Sequence, residues 1–152
     1  MTTYAYSAKT ALFDRLQQLS ATGQPLDGIT VAYAYPGIPG NECIYGGGVR
    51  FEQRDAVAEA PGIMVSEECL VTVYIRVMTA PPVDVSETDA RAAEIGAEIG
   101  ALLRTEPQLA GGNALLGIAR GQGDYTQTDD ETISILAYQI RVLTNLAYAG
   151  SL

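Results

Sequence analysis

The side chains that could carry acid–base or nucleophilic chemistry are few in this chain. Its 152 residues include no histidine, which excludes Ser-His-Asp and Cys-His nucleophiles and an imidazole ligand for zinc. The two cysteines, Cys43 and Cys69, are far apart in the sequence and make a poor metal-binding set. A disulfide would require their strands to bring the Cα atoms within bonding distance. We expect two buried free thiols in a protein made in a reducing cytoplasm.

Two groups of carboxylates are the remaining candidates for catalysis, the pair Glu67-Glu68 and the cluster Asp129-Asp130-Glu131. Adjacent residues of a strand point to opposite faces of a sheet, so the two glutamates of the pair are not expected to converge. The cluster falls in a predicted loop, where solvated charge is the simpler interpretation. The sequence therefore indicates that the protein is not an enzyme.

The glycine clusters also lack the residues that ligand-binding loops require. Gly46-Gly47-Gly48 has neither the Lys nor the Ser or Thr of a phosphate-binding loop. Gly121-Gln122-Gly123 lacks the third glycine and the following helix of a dinucleotide site. Turn chemistry accounts for both clusters, so no cofactor and no metal ion is expected.

The charge balance excludes one further class of function. Acidic residues outnumber basic ones by 18 to 9, giving a formal net charge of −9, and Lys9 is the only lysine. Such a surface repels the nucleic-acid backbone, so dedicated DNA binding is not expected. The acidity is consistent either with a surface that keeps the protein soluble or with the lining of a channel through which DNA passes. The chain has no run of about 20 apolar residues for a membrane span and no signal-peptide pattern.

The pattern of apolar residues predicts helices and strands in the order helix, strand, long hairpin, helix, hairpin. Ser7 is the expected cap of the first helix and Ser86, with Asp89, of the second. Gly96 and Gly100 in the second helix suggest close packing. Apolar residues at helical spacing form two stripes: Ala8, Leu12, Leu16 and Leu19 in the first, and Ala92, Ile95, Ile99, Leu102 and Leu103 in the second.

Alternation of apolar and polar residues predicts the strands. The predicted strands run over 29–35, 43–54, 63–78, 115–120 and 133–147, and the Gly-rich stretch 121–130 is expected to be an exposed loop. These elements predict a single α+β domain, 1–152. Its sheet is expected to be mixed and mainly antiparallel, with two helices packed on one face and a long β-hairpin.

The long hairpin is the candidate surface for contact with other subunits. Its strands exceed the usual strand length of about 5–6 residues, so it either projects as an arm or is divided by bulges within one sheet. Gly46-Gly47-Gly48 is a candidate bulge. The candidate interface residues at the hairpin tip and its flanks are Arg50, Arg54, Asp55, Glu59 and Pro61.

The whole chain resembles the tail terminator proteins of long-tailed bacteriophages. The resemblance lies in the order of elements, from the helix around 12–19 through the hairpin 43–78 and the helix 86–104 to the closing segment ETISILAYQIRVLTNL. It implies a homohexameric ring in the virion, at the neck of the tail. The ring caps the tail tube, joins the head-side connector or head-closure protein, and lets DNA pass through its bore without specific binding.

Two other functions remain open from the sequence. Within the virion, the chain could instead be a head-closure or connector subunit or a tail tube subunit. In a different class, it could be a small-ligand-binding or enzymatic α+β domain that uses Tyr33, Tyr35 and the carboxylates. Ring formation in solution favours the first class, and stabilisation of a monomer by a ligand favours the second.

Overall fold

Two helices lie on one face of a five-stranded sheet in the computed structural model, which describes residues 3–55 and 64–147. The sheet order is β1-β2-β3-β5-β4, with β1 parallel to β2 and all other neighbours antiparallel. The predicted α+β fold class is confirmed. The elements are α1 Ala5–Leu19, β1 Thr30–Ala32, β2 Glu42–Asp55, β3 Met64–Thr79, α2 Val85–Thr105, β4 Ala114–Gln127 and β5 Thr132–Ala147.

The core lies between the helices and one face of the sheet. The α1 stripe is buried except for the partly buried Leu19, and the whole α2 stripe is buried. In the middle of β3, alternate residues face these helices and are buried: Cys69, Val71, Val73, Ile75 and Val77. Burying each large apolar side chain contributes about 1.5–3 kcal/mol to the stability of the fold. The strict alternation of apolar residues therefore determines which face of the sheet the helices cover.

Both helices begin earlier than the sequence suggested. α1 starts at Ala5, so the predicted cap Ser7 lies within the helix. α2 starts at Val85, and its cap is Asp84, whose carboxylate accepts a hydrogen bond from the Ser86 amide at 3.2 Å. Asp84 takes the cap because its backbone is extended and its side chain reaches the free amides of the first turn.

The long hairpin of β2 and β3 is confirmed and crosses the sheet. β3 pairs with β2 on one side and, from Met64 to Thr79, with β5 on the other. The described part is therefore not a two-stranded arm. The predicted break is also found, because the β2 register shifts between Gly46 and Val49.

Two strand predictions were wrong. The first strand was predicted over 29–35, but β1 ends at Ala32 because β2 turns into its bulge just beyond the paired Tyr45. The predicted loop 121–130 is instead strand to Gln127. β4 pairs with β5 through backbone groups, which glycine supplies as well as any residue, so its Gly-rich composition concealed a strand.

Candidate subunit interface

The strand β4 forms one edge of the sheet. At its start, the Ala114 and Leu116 amides already donate to the Gly111 carbonyl at 3.2 Å and the Pro107 carbonyl at 2.8 Å. Among the described residues, no strand pairs with its outer side, and its residues are exposed from Ile118 to Gln127. An edge of this kind presents free N–H and C=O groups that can pair with another chain. Two features of the sequence could have indicated this strand. One is the alternation of small or aromatic residues with polar ones from Gly121 to Gln127, and the other is the length of β5, which needs a strand partner on each side.

The opposite edge of the sheet is only partly covered. β1 pairs with Cys43–Tyr45, and within the described residues the outer side of Val49–Asp55 has no strand partner. Phe51 belongs to this stretch. Its side chain lies on the helix side of the sheet and is exposed. The sheet thus carries two free edges, one on each side.

Lys9 fixes the bulge that separates the covered and free parts of β2. Its Nζ atom donates to the Gly47 carbonyl at 2.8 Å and lies 3.9 Å from the centre of the Tyr33 ring. Burial lowers the pKa of Lys9 from its usual value. A Cβ at Gly46 would overlap the Tyr33 carbonyl oxygen and lie 2.6 Å from Lys9 Cε, so this position accepts only glycine without rearrangement.

The sheet face away from the helices is open and carries arginine and tyrosine. Tyr45 stacks on Tyr74 with ring centroids 5.0 Å apart, and Tyr35 meets Tyr45 edge-on at the same separation. Beside them lies a shallow groove of about 620 Å³ between β2 and β4, whose lining includes Arg50 and Arg120.

Charge is distributed unevenly between the two faces. Among the cations whose side chains the structure describes, four project from the open face, namely Arg50, Arg76, Arg120 and Arg141. The exposed surface of α2 is acidic, with Glu87, Glu94 and Glu98. The strong net negative charge therefore belongs mainly to the helix side, which favours contacts between unlike faces of neighbouring molecules.

The predicted interface residues lie at one end of β2 and beyond it. Arg50 is exposed on the open face. Arg54 and Asp55 have their backbone in β2, paired with Ser66 and Val65. Their side chains, and the whole of Glu59 and Pro61, lie outside the described residues.

The glutamate pair is divided between the faces of the sheet, as predicted. Glu68 is exposed and forms an ion pair with Arg141 at 3.2 Å. Glu67 is only 2% exposed and accepts hydrogen bonds from the Tyr4 amide at 2.7 Å and Gln53 Nε2 at 2.6 Å. Burial alone would raise the pKa of Glu67, but hydrogen bonds, including that from Cys69, hold it below the usual value. Glu67 therefore anchors the start of α1 to the sheet.

Both cysteines are buried free thiols, as expected from the sequence. Cys69 donates to Glu67 at 3.1 Å on the helix side, whereas Cys43 lies opposite Arg76 on the other face. Burial, aided by Glu67, raises the pKa of Cys69 to about 12, and burial also raises the pKa of Cys43. A thiol held protonated is a poor nucleophile.

The chain matches solved structures but no family model, and its described part holds no metal-binding cluster. In residues 3–55 and 64–147, no three Cys, Asp or Glu side chains are grouped to hold a metal, and no helix could cross a membrane. No family model and no curated protein matches the chain. Matching solved structures include a chain described as "Virion of native gene transfer agent (GTA) particle", with 18% identity and a TM-score of 0.48. That match covers 94% of this chain and 99% of the other, and a likeness this distant carries no functional inference.

Proposed function

We propose that this protein is a structural virion subunit that closes into a ring and acts as a tail terminator. The observation that carries the proposal is the pair of exposed edges on opposite sides of one sheet, the outer side of β4 from Ile118 to Gln127 and the outer side of β2 beyond the stretch that β1 covers. Contacts between two different surfaces of identical subunits produce rings when the rotation closes. The order of elements, which resembles tail terminators, supports the virion setting.

The strand directions fit such a ring. β4 runs opposite to β2, because three antiparallel steps separate them across the sheet. A rotation about an axis along the strands preserves strand direction, so β4 of one subunit meets β2 of the next in antiparallel orientation. This is the slightly more stable pairing per residue. A closed ring also covers every free edge, which is how a terminator avoids continued polymerisation.

The rows of the sheet define the register of this contact. Val49, Phe51 and Gln53 lie in the same rows as Ile118, Leu116 and Ala114 of β4, through their partners on β3 and β5. The Leu116 and Ala114 amides already donate to the Pro107 and Gly111 carbonyls, so pairing of β2 with the exposed stretch of a neighbour's β4 from Ile118 to Gln127 requires a shift along the strands. The acidic net charge suits a bore that DNA passes through without binding.

The proposal is tested by the solution mass of the purified protein, measured by light scattering over a range of concentrations, and by negative-stain electron microscopy. We expect closed rings, hexamers by the family resemblance. Amides of β4 and of Val49–Asp55 should exchange hydrogen more slowly in rings than in dilute monomer, because pairing protects outward N–H groups. Amides of the central strand β3 should be equally protected in both states.

A mixing experiment separates the terminator from its virion alternatives. When it is added to polymerising tail tube protein of the same virus, a terminator should shorten the tubes. A single terminator ring should then be seen at one end of each tube. Stacked rings of this chain alone would indicate a tube subunit, and binding only to the head-side protein would indicate a connector. A monomer at all concentrations, with or without tube protein, would contradict the proposal.

A further inference from the structure

Phe51 is an exposed aromatic residue on the stretch of β2 that β1 does not cover. Its side chain lies on the helix side of the sheet and is 49% exposed. Backbone N–H and C=O groups of the inner strand β3 point alternately to β2 and to β5. The Met78 amide donates to the Asn41 carbonyl just before β2, so Cys69, an odd number of residues earlier, directs its groups to β5. Phe51, the partner of Cys69, therefore directs its own N–H and C=O away from the sheet.

An apolar groove lies at the opposite edge of the sheet, also on the helix side. It has a volume of about 310 Å³ between α2 and β4, and its lining includes Ala92, Ala93, Gly123, Tyr125 and Leu136. A Cβ at Gly123 would meet no atom of the described chain within 4 Å, so the groove is open at this residue. Tyr125 is 58% exposed and forms an aromatic wall beside the opening.

The backbone of β4 points outward at this groove. The Thr128 amide donates to the Glu131 carbonyl at 2.9 Å and closes the turn to β5. Because the direction alternates along a strand, Gly123, an odd number of residues earlier, directs its N–H and C=O away from β5. Phe51 and Gly123 thus share a side of the sheet and an outward backbone. This is the geometry of two residues that face each other as a hydrogen-bonded pair between antiparallel strands.

The charges on the other face of the sheet favour one register of this pairing. With Phe51 opposite Gly123, Arg50 comes opposite Asp124, and both are exposed on the open face. Opposite charges in directly facing positions stabilise a strand pair, and like charges destabilise it. A shift of two residues in one direction would instead place Glu52 opposite Asp124, which brings two carboxylates together.

Packing disfavours the shift of two residues in the other direction. That register would place Phe51 opposite Gly121, where the ring of Tyr138 already occupies the space. A Cβ at Gly121 would lie 2.9 Å from this ring. The open position at Gly123 is therefore the one that accepts an aromatic side chain from another subunit.

One like-charged pair remains in the preferred register. The position of Arg54 comes opposite Arg120 on the open face. Glu52 is a neighbour of both on that face, because it precedes Arg54 by two residues and lies diagonally across from Arg120. Its negative charge offsets the repulsion between the two cations.

This register displaces neighbouring subunits along the strands. The row of Phe51 passes through Cys69 and meets β4 at Leu116, whereas the row of Gly123 passes through Ile75. The two rows are about 20 Å apart along β3, and the strands from β2 to β4 are about 19 Å wide. A displacement of this size tilts the strands by about 45° from the ring axis, near the tilt of roughly 35–45° that closed barrels require. The displacement is therefore compatible with ring closure.

We propose that Phe51 inserts into the groove between α2 and β4 of a second copy of this chain, opposite Gly123, with Arg50 opposite Asp124. This inference rests on the proposed ring and names the residues and the register of its contact. An aromatic side chain opposite an edge glycine covers the exposed backbone. Tyr125 lies diagonally from Phe51 in this register, within reach of an aromatic side chain.

Cysteine cross-linking tests the register directly. The variant Arg50→Cys is mixed in turn with Asp124→Cys, Gln122→Cys and Thr126→Cys under mild oxidation, and covalent dimer is measured on a non-reducing gel. The three partners lie on the open face of β4 and report registers two residues apart. Facing positions such as 50 and 124 have Cα atoms about 4.5 Å apart, which suits a disulfide. We expect at least fivefold more dimer with Asp124→Cys than with either control, and the buried native cysteines do not compete.

Filling the groove tests the place of the Phe51 ring. Gly123→Val should raise the concentration for half-assembly at least tenfold, because its side chain occupies the site of the ring. The matched control is Gly117→Val on the open face of the same strand, where a Cβ also has no neighbour within 4 Å in the described chain. This control should change assembly less than threefold. The melting temperature of each variant, measured in dilute solution, verifies that its fold is retained.

The outcomes separate this contact from the ring. Equal cross-linking with all three partners, or preference for a control, in a protein that forms rings overturns the Phe51 contact and leaves the ring proposal standing. Selective cross-linking to Asp124→Cys without closed rings supports the contact and contradicts the ring. Equal assembly by Gly123→Val and Gly117→Val would also overturn the contact.

Discussion

Glu67 shows how a single buried carboxylate can organise the beginning of a fold. Its oxygens accept hydrogen bonds from the Tyr4 amide, from Gln53 and from Cys69, so they join α1, β2 and β3 at one point. No basic side chain is among these donors. The charge is held by neutral donors and by the start of a helix, where the backbone dipole favours an anion.

Replacing this carboxylate with an amide should destabilise the protein. In Glu67→Gln one acceptor oxygen becomes an NH₂ group that faces other donors, and the charge-assisted bonds are lost. We expect a loss of about 1.5–3 kcal/mol in the free energy of unfolding, measured by urea denaturation. The control Glu68→Gln, on the exposed face, should change stability by less than about 0.5 kcal/mol. Equal effects of both would show that Glu67 is not an anchor.

The lowered pKa of Glu67 predicts a loss of stability in acid. The unfolded chain binds this proton near pH 4.3, whereas the folded chain binds it only at lower pH. The contribution of Glu67 is therefore complete above about pH 5 and disappears as pH falls through the folded pKa. The stability difference between wild type and Glu67→Gln should shrink as the pH falls below about 5. A difference independent of pH would contradict this account.

The sequence could predict only part of what these residues do. The alternation of β3 placed Glu67 and Glu68 on opposite faces, because side chains in a strand alternate regardless of their neighbours. It could not show that Glu67 faces the core, since that depends on where the start of α1 lies.

At the scale of elements, one tyrosine explains a glycine in α2. Tyr138 on β5 lies between α2 and β4, and a Cβ at Gly96 would be 2.5 Å from its hydroxyl oxygen. A Cβ at Gly121 on β4 would be 2.9 Å from the same ring. The close packing predicted for the helix glycines is thus found at Gly96. A Cβ at Gly100 would lie 3.2 Å from Arg104 Nη1, the end of an exposed side chain that can move aside, and 3.6 Å from Ile118.

The same substitution at two positions of α2 should therefore have opposite effects. Gly100→Ala should stabilise the protein by about 0.5–1 kcal/mol, because alanine loses less entropy in a helix. Gly96→Ala should destabilise it by about 1–3 kcal/mol, because the methyl group displaces Tyr138. Thermal unfolding of both variants checks the pair. In Gly96→Ala with Tyr138→Leu, much of the loss should be recovered, and no recovery would argue against the steric cause.

The elements that could be predicted are those that bury a periodic apolar face. The stripes of α1 and α2 and the alternation of β3 and β5 identify them, because burial requires the period of the structure. The second half of β4, from Gly121 to Gln127, escaped prediction because it is an edge strand with small and polar residues. Its pairing depends on the backbone, which leaves little mark on side-chain composition.

At the scale of the whole molecule, the core is buried but the sides of the sheet are not covered within the described chain. The helices cover one face of the sheet, while both edges and the arginine-bearing face remain open in the described chain. Edges this long are an aggregation risk unless a defined partner covers them. In a closed ring, each open edge pairs with the edge of a neighbouring subunit. The number of subunits is then fixed, so assembly stops, as a terminating function requires.

The hairpin tip provides the last test of how the molecule assembles. Residues 56–63 lie outside the described structure, but β3 is held by β5 up to the pair Met64 and Ala147. Deleting 55–62 should therefore leave the fold intact, with a melting temperature within a few degrees of wild type. We expect the concentration for half-assembly to rise at least tenfold, because Asp55, Glu59 and Pro61 are predicted to contact other subunits. A variant with 56–62 replaced by glycine and serine keeps the chain length and should show the same weakening. Normal assembly by both variants would limit the interface to the strand edges.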